Sequence, residues 1–266
     1  MNATRVAAFL GVVFVATTAS SQWLDYPAKG IPRTRDGKPV LTGRAPTTRD
    51  GKPDLSGVWL PDNTPNVKGT NGEPLPGHFI SVTFGMKNED VPFTPEGAAA
   101  FRKNLAGNGK DDPGAVCHPM GVPSVDTVPI PYKIVQTPGL IVILYEGDTV
   151  YRQIFMDGRK HAETTIPSWL GYSVGRWEGD TLVVDTTGFN DKSWLDRIGH
   201  THSDALHLIE KFHRRDLGHM DLTVTIDDPR TFTRPVSFTQ TNTLTPDGDL
   251  LEYFCTDNEQ DSAHFK

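Results

Sequence analysis

The chain has 266 residues, with 26 Lys and Arg against 33 Asp and Glu, so its formal net charge is −7. This acidic balance, without a basic cluster, argues against a nucleic-acid-binding protein. The length suits one large all-β domain, or such a domain with a long arm.

Residues 1–21 are typical of a secretory signal peptide. Arg5 precedes an apolar run at residues 6–15, and Ala19, Ser20 and Ser21 supply the small residues of a cleavage site. The run is too short to span a bilayer, and no later segment approaches that length. We therefore predict a secreted or periplasmic protein that is not embedded in a membrane.

The predicted export affects the expected redox state of the two cysteines, Cys117 and Cys255. An exported chain enters a compartment that permits disulfides, so we expect these two residues to pair. The alternative is a pair of buried free thiols.

Residues 22–57 are predicted to form an extended arm rich in Pro and Gly. Residues 34–43 and 48–57 are near copies of each other, and each carries Asp-Gly and Lys-Pro turn signals. The second copy leads into Val58, and Gly57-Val58-Trp59 has the Gly-x-Trp form of the first strand of lipocalin barrels. We therefore assign the barrel domain to residues 58–266.

An insertion at residues 61–131 separates this strand from the next ones. Within it, Thr94 is a favourable N-cap, Pro95 occupies the first helical position and Gly107 follows the last helical residue. One short helix is predicted there. Residues 109–131 are again rich in Pro and Gly, and so long an irregular segment is expected to cover a barrel mouth or to form part of a site.

Consecutive strands with short turns follow this insertion, which favours an antiparallel meander. Nine or ten strands close most economically as a barrel, which leaves no exposed edge. The fold prediction is thus all-β, a lipocalin-like barrel with an N-terminal arm and one short helix, and the alternative is a two-sheet sandwich. The predicted strands are residues 132–137, 140–146, 149–156, 173–177, 181–189, 206–214, 219–227, 235–243 and 250–255.

The strands alternate apolar and polar residues, and their apolar faces are expected to point inward. That alternation also directs four polar side chains inward, because they share a face with apolar neighbours. These are Glu210, Gln240, Asn242 and Glu252.

Several long blocks resemble a widespread, uncharacterised family of secreted bacterial proteins. They are GRWEGDTLVVDTTGFND, YRQIFMDGR, DGKPDLSGVW, HSDALHLIEKFHRR and TVTIDDPRTFTRP. The resemblance spans most of the chain after the predicted signal peptide. It implies export and a self-contained domain, and it assigns no catalytic residue.

Acid–base chemistry is the enzymatic interpretation of the polar interior. It needs a carboxylate or imidazole whose pKa is moved towards neutrality, and a partner of opposite charge. Glu210 or Asp185 is the candidate base inside the barrel, and His202 is the candidate proton donor. A developing anion would be held by Arg152, Arg159 or Arg214. The structural alternative is that Glu210–Arg214 and Asp157–Arg159 are ion pairs that close the barrel ends.

Other chemistry has less support in the sequence. His200, His202 and His207 precede Glu210, but the carboxylate comes too late for a cupin metal motif, so no metal site is predicted. Neither Ser168 nor Ser203 lies in a nucleophile elbow. No phosphate-binding or dinucleotide fingerprint appears, so no cofactor is predicted.

Two functions of different classes remain open. The first is an exported enzyme that acts on a small molecule by cofactor-free acid–base chemistry, as a lyase, isomerase or hydrolase. The second is a periplasmic, lipocalin-like carrier of an apolar ligand. The candidate ligand contacts are Trp169, Trp177, Gln240, Asn242 and Glu252, although the tryptophans, with Trp194, could instead plug a barrel end.

Overall fold

The computed structural model describes residues 27–161 and 166–255. The predicted signal peptide, residues 1–21, lies outside the described residues. In the described part of the chain, no helix has the length and apolar character needed to cross a membrane.

Nine strands form one closed barrel in chain order, and the first strand pairs with the last to complete the ring. The all-β barrel predicted from the alternating strands is therefore confirmed. The strands are β1 (Gly57–Pro61), β2 (Tyr132–Gln136), β3 (Leu140–Tyr145), β4 (Tyr151–Phe155), β5 (Tyr172–Glu178), β6 (Thr181–Thr187), β7 (His207–Arg214), β8 (His219–Asp227) and β9 (Val236–Leu244).

All neighbouring strands are antiparallel except β4 and β5, which are parallel. A ring of nine strands cannot alternate direction all the way round, because an odd number leaves one neighbouring pair pointing the same way. We call this junction of β4 and β5 the seam. Its register holds two residue pairs, Ile154–Ser173 and Phe155–Val174, whereas that of β7 and β8 holds eight.

The last predicted strand, residues 250–255, is wrong. Residues 250–254 have no regular structure, and Glu252 is exposed rather than directed inward. The reason is that β9 already pairs with β1, with Trp59 opposite Leu244. A closed barrel has no free edge on which a further strand can pair.

The inward faces are built as the period-2 pattern predicts. On β8, Met220, Leu222, Val224 and Ile226 are all fully buried, while their neighbours in sequence are half-buried on the outside. On β7 the buried residues alternate in the same way and include Glu210. The barrel interior is thus a packed core that also encloses charged groups.

Three α-helices lie in the insertion between β1 and β2: α1 (Gly77–Ile80), α2 (Pro95–Ala106) and α3 (Ser124–Thr127). The predicted helix is confirmed as α2, where the Thr94 hydroxyl accepts a hydrogen bond from the Gly97 amide at 3.0 Å. Gly97 is packed so closely that a Cβ there would lie 2.2 Å from the Thr231 carbonyl oxygen. Single 3₁₀ turns occupy Asn88–Asp90, Pro113–Val116 and Gly147–Thr149.

The two repeats of the arm are tight turns of the same build, and a third copy follows in the insertion. Each turn is closed by an isolated bridge that ends on a proline. The third copy, residues 69–74, is not evident from the sequence, because it shares only the Gly-x-Pro ending of the other two. The bridges join Arg33 to Pro39, Thr47 to Pro53 and Lys68 to Pro74.

The predicted disulfide between Cys117 and Cys255 is confirmed, with Cα atoms 5.6 Å apart across a sequence separation of 138 residues. It ties the segment after α2 to the tail that follows β9. The carbonyl of Tyr253, in the same tail, accepts a hydrogen bond from the Thr149 hydroxyl just before β4.

Candidate functional site

A buried ion pair occupies the inside of the barrel. Arg152 on β4 is 2% exposed, Glu210 on β7 is fully buried, and the guanidinium binds both carboxylate oxygens. Two further donors bind hydroxyls, with Nε 2.9 Å from Ser173 Oγ and Nη2 2.8 Å from Thr186 Oγ1. A bidentate pair with additional hydrogen bonds of this kind offsets much of the cost of burying the two charges.

A second carboxyl group, Asp126 on α3, lies against this pair. It is fully buried, accepts a hydrogen bond from the Tyr145 hydroxyl at 2.6 Å, and has Oδ2 3.8 Å from Arg152 Nη1. Burial, with a further contribution from the charge of Glu210, raises the pKa of Asp126 to about 7, although Arg152 opposes the shift. We call Arg152, Glu210 and Asp126 the interior triad.

The interior triad has one cation and two carboxyl groups, so it is electrically neutral when Asp126 holds a proton. Sequence reasoning did not find Asp126, because it lies in a Pro-rich segment that was interpreted as irregular. The signal available in the sequence was a lone carboxylate between Val125 and Thr127-Val128. The structure shows that residues 121–128 are all buried.

Arg214 does not pair with Glu210, so that predicted ion pair is wrong. The Arg214 side chain is buried at one barrel end, where it donates to the backbone carbonyls of Asp54, Asp216 and Leu217. Its guanidinium also lies 4.9 Å from the ring centre of Trp59. Arg214 thereby fixes the arm against this end of the barrel. The other predicted pair, Asp157–Arg159, does form, on the outer surface.

The buried amides predicted as ligand contacts bind backbone. Gln240 Nε2 donates to the carbonyls of Asp62 and Thr241, at 2.9 and 2.7 Å. Asn242 Nδ2 lies 3.4 Å from the carbonyl of Met220. Both amides therefore stabilise the backbone of the barrel.

His202 and His200 lie in the connection between β6 and β7, and neither reaches the interior triad. His202 is buried between the Ser193 hydroxyl, 2.9 Å from Nε2, and the Ser203 carbonyl, 3.0 Å from Nδ1. Burial lowers the pKa of His202, which favours the neutral imidazole. Nδ1 of His200 binds Asp196 at 2.5 Å. In residues 27–161 and 166–255, no group of three or more His, Cys, Asp or Glu side chains has the arrangement of a metal site.

Asp185 lies on the outer face of the barrel, not inside it as expected for a base. The inward positions of β6 are Leu182, Val184 and Thr186, so the odd-numbered residues face outward. There, Asp185 Oδ1 lies 2.7 Å from His161 Nε2 and 2.9 Å from His207 Nε2. We call these three residues the outer triad, and each side chain is between 25% and 35% exposed.

A cleft of about 470 Å³ opens at the seam, which we call the seam cleft. The first registered pair of β4 and β5 is Ile154–Ser173, and residues 149–153 and 168–172, which precede this pairing, line the cleft. The residues that line it fall into two sets, an aromatic and apolar wall and a polar inner end. The wall includes Phe155, Trp169, Leu170 and Tyr172, and the inner end includes Arg152 and Ser173.

The aromatic wall is held by stacking. The rings of Phe155 and Tyr172 lie 5.2 Å apart, and Trp169 stacks at 5.4 Å on His118, the residue that follows the disulfide-bonded Cys117. Of the predicted ligand contacts, Trp169 lines the seam cleft. Trp177 packs against the core farther along β5, and Trp194 is buried among the loops.

Tyr172 connects the seam cleft to the outer triad. Its hydroxyl accepts a hydrogen bond from Arg159 Nη1 at 3.0 Å, and the His161 ring lies edge-on to its ring at 6.2 Å. The Arg159 guanidinium also covers Phe155, 3.9 Å from the ring centre. Arg152 is the residue of the interior triad that lines the cleft. Arg159 and His161 lie behind the cleft wall, where they contact Phe155 and Tyr172.

Comparison of the chain with models of protein families, with curated proteins and with solved structures gives no match, so the interpretation of this site depends on its geometry.

Proposed function

We propose that this protein binds a small, uncharged organic molecule with a flat apolar body in the seam cleft. The single observation that carries the proposal is the cleft itself, about 470 Å³ in volume and bordered by the rings of Phe155, Trp169 and Tyr172. A volume of this size, with apolar walls and a few polar groups at one end, is typical of small-molecule sites. Aromatic rings supply large contact areas to flat ligands.

The polar end indicates the charge of the ligand. Arg152 is already neutralised by Glu210, so the inner end offers hydrogen-bonding groups without an uncompensated charge. An anionic group would have to compete with Glu210 for the same guanidinium. We therefore expect a ligand with one polar, uncharged group, such as a carbonyl or hydroxyl, directed at Arg152 and Ser173.

The expected carrier thus binds its ligand at the seam and not in the centre of the barrel. The centre is filled by side chains such as Trp59, Tyr132 and Phe212, all of which are fully buried.

The test uses N-phenyl-1-naphthylamine, an uncharged aromatic probe that fluoresces in apolar surroundings. We expect saturable binding to the wild-type protein and at least a tenfold weaker Kd for Trp169→Ala. Phe84→Ala is the matched control, because Phe84 is a half-exposed aromatic that borders a different cavity, of about 240 Å³. Weaker binding in Phe84→Ala, with Trp169→Ala unchanged, would place the probe elsewhere and refute the proposal.

Export belongs to the same proposal. The disulfide between Cys117 and Cys255 suits an oxidising compartment, and residues 1–21 are typical of a signal peptide. Mass spectrometry of the periplasmic and culture fractions is expected to find a chain that begins near Gln22 and has no free thiol. Recovery of the uncleaved chain from the cytoplasm alone would contradict export.

The other predicted function, an enzyme that uses acid–base chemistry, is supported by a different observation, the partial exposure of the outer triad. An enzyme needs an ionisable group that can reach its substrate. The two carboxyl groups of the interior triad do not line the cleft. The outer triad is partly exposed, and its His161 ring lies edge-on to Tyr172 of the cleft wall.

A further inference from the structure

We infer that the outer triad is a catalytic acid–base site that hydrolyses an ester bond of a molecule held in the seam cleft, with His161 as the general base. The inference depends on the proposed function, since it requires the cleft to hold the substrate. It adds a reaction, a substrate class and roles for His161, Asp185, His207 and Arg159.

The first step is the state of the imidazoles. Nε2 of both His161 and His207 lies within 3 Å of the same oxygen, Asp185 Oδ1. A carboxylate only accepts hydrogen bonds, so each neutral ring carries its proton on Nε2. Nδ1 of each ring is therefore the basic nitrogen, and a carboxylate behind an imidazole also stabilises the cation formed when that nitrogen takes a proton.

The second step is access to the cleft. His161 is the nearer imidazole, because its ring contacts Tyr172, which lines the cleft. In this tautomer Nδ1 of His161 accepts a hydrogen bond from the Thr187 hydroxyl at 3.2 Å, a long contact that an incoming water molecule can replace. His207 contacts the triad only through Asp185 and is assigned a positioning role, as is Asp185 itself.

The third step is the choice of reaction. The outer triad is partly open to solvent, so water is available as the nucleophile, whereas a carbanion intermediate would need an enclosed site. Arg159 is paired with Asp157, but its Nη1 points to the Tyr172 hydroxyl at the cleft wall and can donate a hydrogen bond to a developing oxyanion. Both features favour hydrolysis over isomerisation or elimination.

The reaction balances without a cofactor. His161 Nδ1 takes a proton from water, and the hydroxide oxygen bonds to the ester carbonyl carbon. The bond between that carbon and the alcohol oxygen then breaks, and the imidazolium returns its proton to the departing oxygen. One ester and one water become one acid and one alcohol, with no change of oxidation state.

The test uses p-nitrophenyl acetate, an uncharged aromatic ester, with the exported protein, which is expected to begin near Gln22. We expect saturable release of nitrophenol, and a fall in kcat of about 100-fold or more for His161→Ala. Added imidazole should restore part of the lost rate. Asp185→Asn is expected to lower kcat about tenfold with KM unchanged, while Trp169→Ala raises KM with little effect on kcat.

The matched control is His219→Ala. His219 is also a half-exposed imidazole that binds a carboxylate, with Nδ1 2.8 Å from Asp216 Oδ1, but it lies at the start of β8, a strand that does not border the seam. We expect this variant to keep the wild-type rate. Hydrolysis that is linear in probe concentration and equal in both histidine variants would be unspecific imidazole catalysis and would overturn the inference.

The two proposals fail in different ways. If N-phenyl-1-naphthylamine binds the cleft and His161→Ala hydrolyses the ester as fast as the wild type, the protein is a binding protein without this activity. If Trp169→Ala changes neither probe binding nor KM, the cleft is not the ligand site.

Discussion

Arg152 holds together the polar interior of the barrel. It binds Glu210 through two hydrogen bonds and also binds the hydroxyls of Ser173 and Thr186, so groups from β4, β5, β6 and β7 meet at one guanidinium. Four strands are thereby cross-linked on their inner faces. The structural interpretation of Glu210, with Arg152 as its partner in place of Arg214, agrees best with this geometry.

Glu210→Gln is expected to lower the free energy of unfolding by about 3–5 kcal/mol, because Arg152 would remain buried without its counter-charge. Urea denaturation measures the change. The double variant Arg152→Met with Glu210→Leu should lose less than either single variant, since no charge is then left unpaired. Glu178→Gln, in the exposed Arg176–Glu178 pair, is the control and should be unchanged. Unaltered stability of Glu210→Gln would instead return Glu210 to the list of candidate bases.

Asp126 makes stability depend on pH. Its folded pKa of about 7 lies above the ordinary value of 3.8, so between these values the folded protein holds a proton that the unfolded chain has lost. The free energy of unfolding therefore falls as pH rises through this window, by about 1.4 kcal/mol per pH unit from this residue.

Asp126→Asn should remove that dependence, because the amide carries no charge at any pH and still accepts a hydrogen bond from Tyr145. We expect the variant to be more stable than the wild type at pH 8, by up to about 4 kcal/mol, with the difference shrinking towards pH 4. Urea denaturation at a series of pH values measures this. A constant difference between the two proteins across the series would contradict the assignment.

At the scale of elements, the seam is the weakest part of the barrel wall. The parallel pair of β4 and β5 has two registered residue pairs, and an aromatic-lined cleft opens beside it. The pair of β7 and β8 has eight registered residue pairs along the same wall. Fewer ladder hydrogen bonds allow local opening at a lower free energy.

Hydrogen exchange tests this difference between the elements. Amides of β4 and of residues 172–174 are expected to exchange at least tenfold faster than those of β7 and β8, as measured by mass spectrometry of peptides. Saturation with N-phenyl-1-naphthylamine should slow exchange at the seam and leave β7 and β8 unchanged. Uniform protection around the ring would contradict a weak seam.

At the scale of the whole molecule, the disulfide encloses most of the barrel. Cys117 and Cys255 bracket the strands from β2 to β9 in one covalent loop. Cys117 also precedes His118, which stacks on Trp169 of the seam cleft, so the cross-link and the cleft wall share one segment.

Replacing both cysteines by serine should lower the free energy of unfolding by about 2–4 kcal/mol, chiefly because the unfolded chain gains freedom. Guanidinium denaturation of the variant and of the wild type, each without reductant, measures the loss. An unchanged denaturation midpoint would contradict this stabilisation and would show that the closed barrel restricts the tail without the disulfide.

Local patterns in the sequence determined which residues form strands and which side chains face inward. Alternation with period two is a property of each strand alone, so the buried rows of β7 and β8 could be predicted, and Glu210 with them. The helix α2 was equally predictable, because the cap and the first helical residue are local signals. The disulfide was predicted from the presence of two cysteines together with a predicted signal peptide.

Only the tertiary structure decided which of these side chains meet. The parallel seam follows from closing nine strands into a ring, and the loss of the predicted tenth strand follows from β1 having paired with β9. The positions of Asp185 and Asp126 also depend on tertiary contacts. One faces outward and meets His161 and His207, and the other meets Arg152 and Glu210, across sequence separations that no local pattern can report.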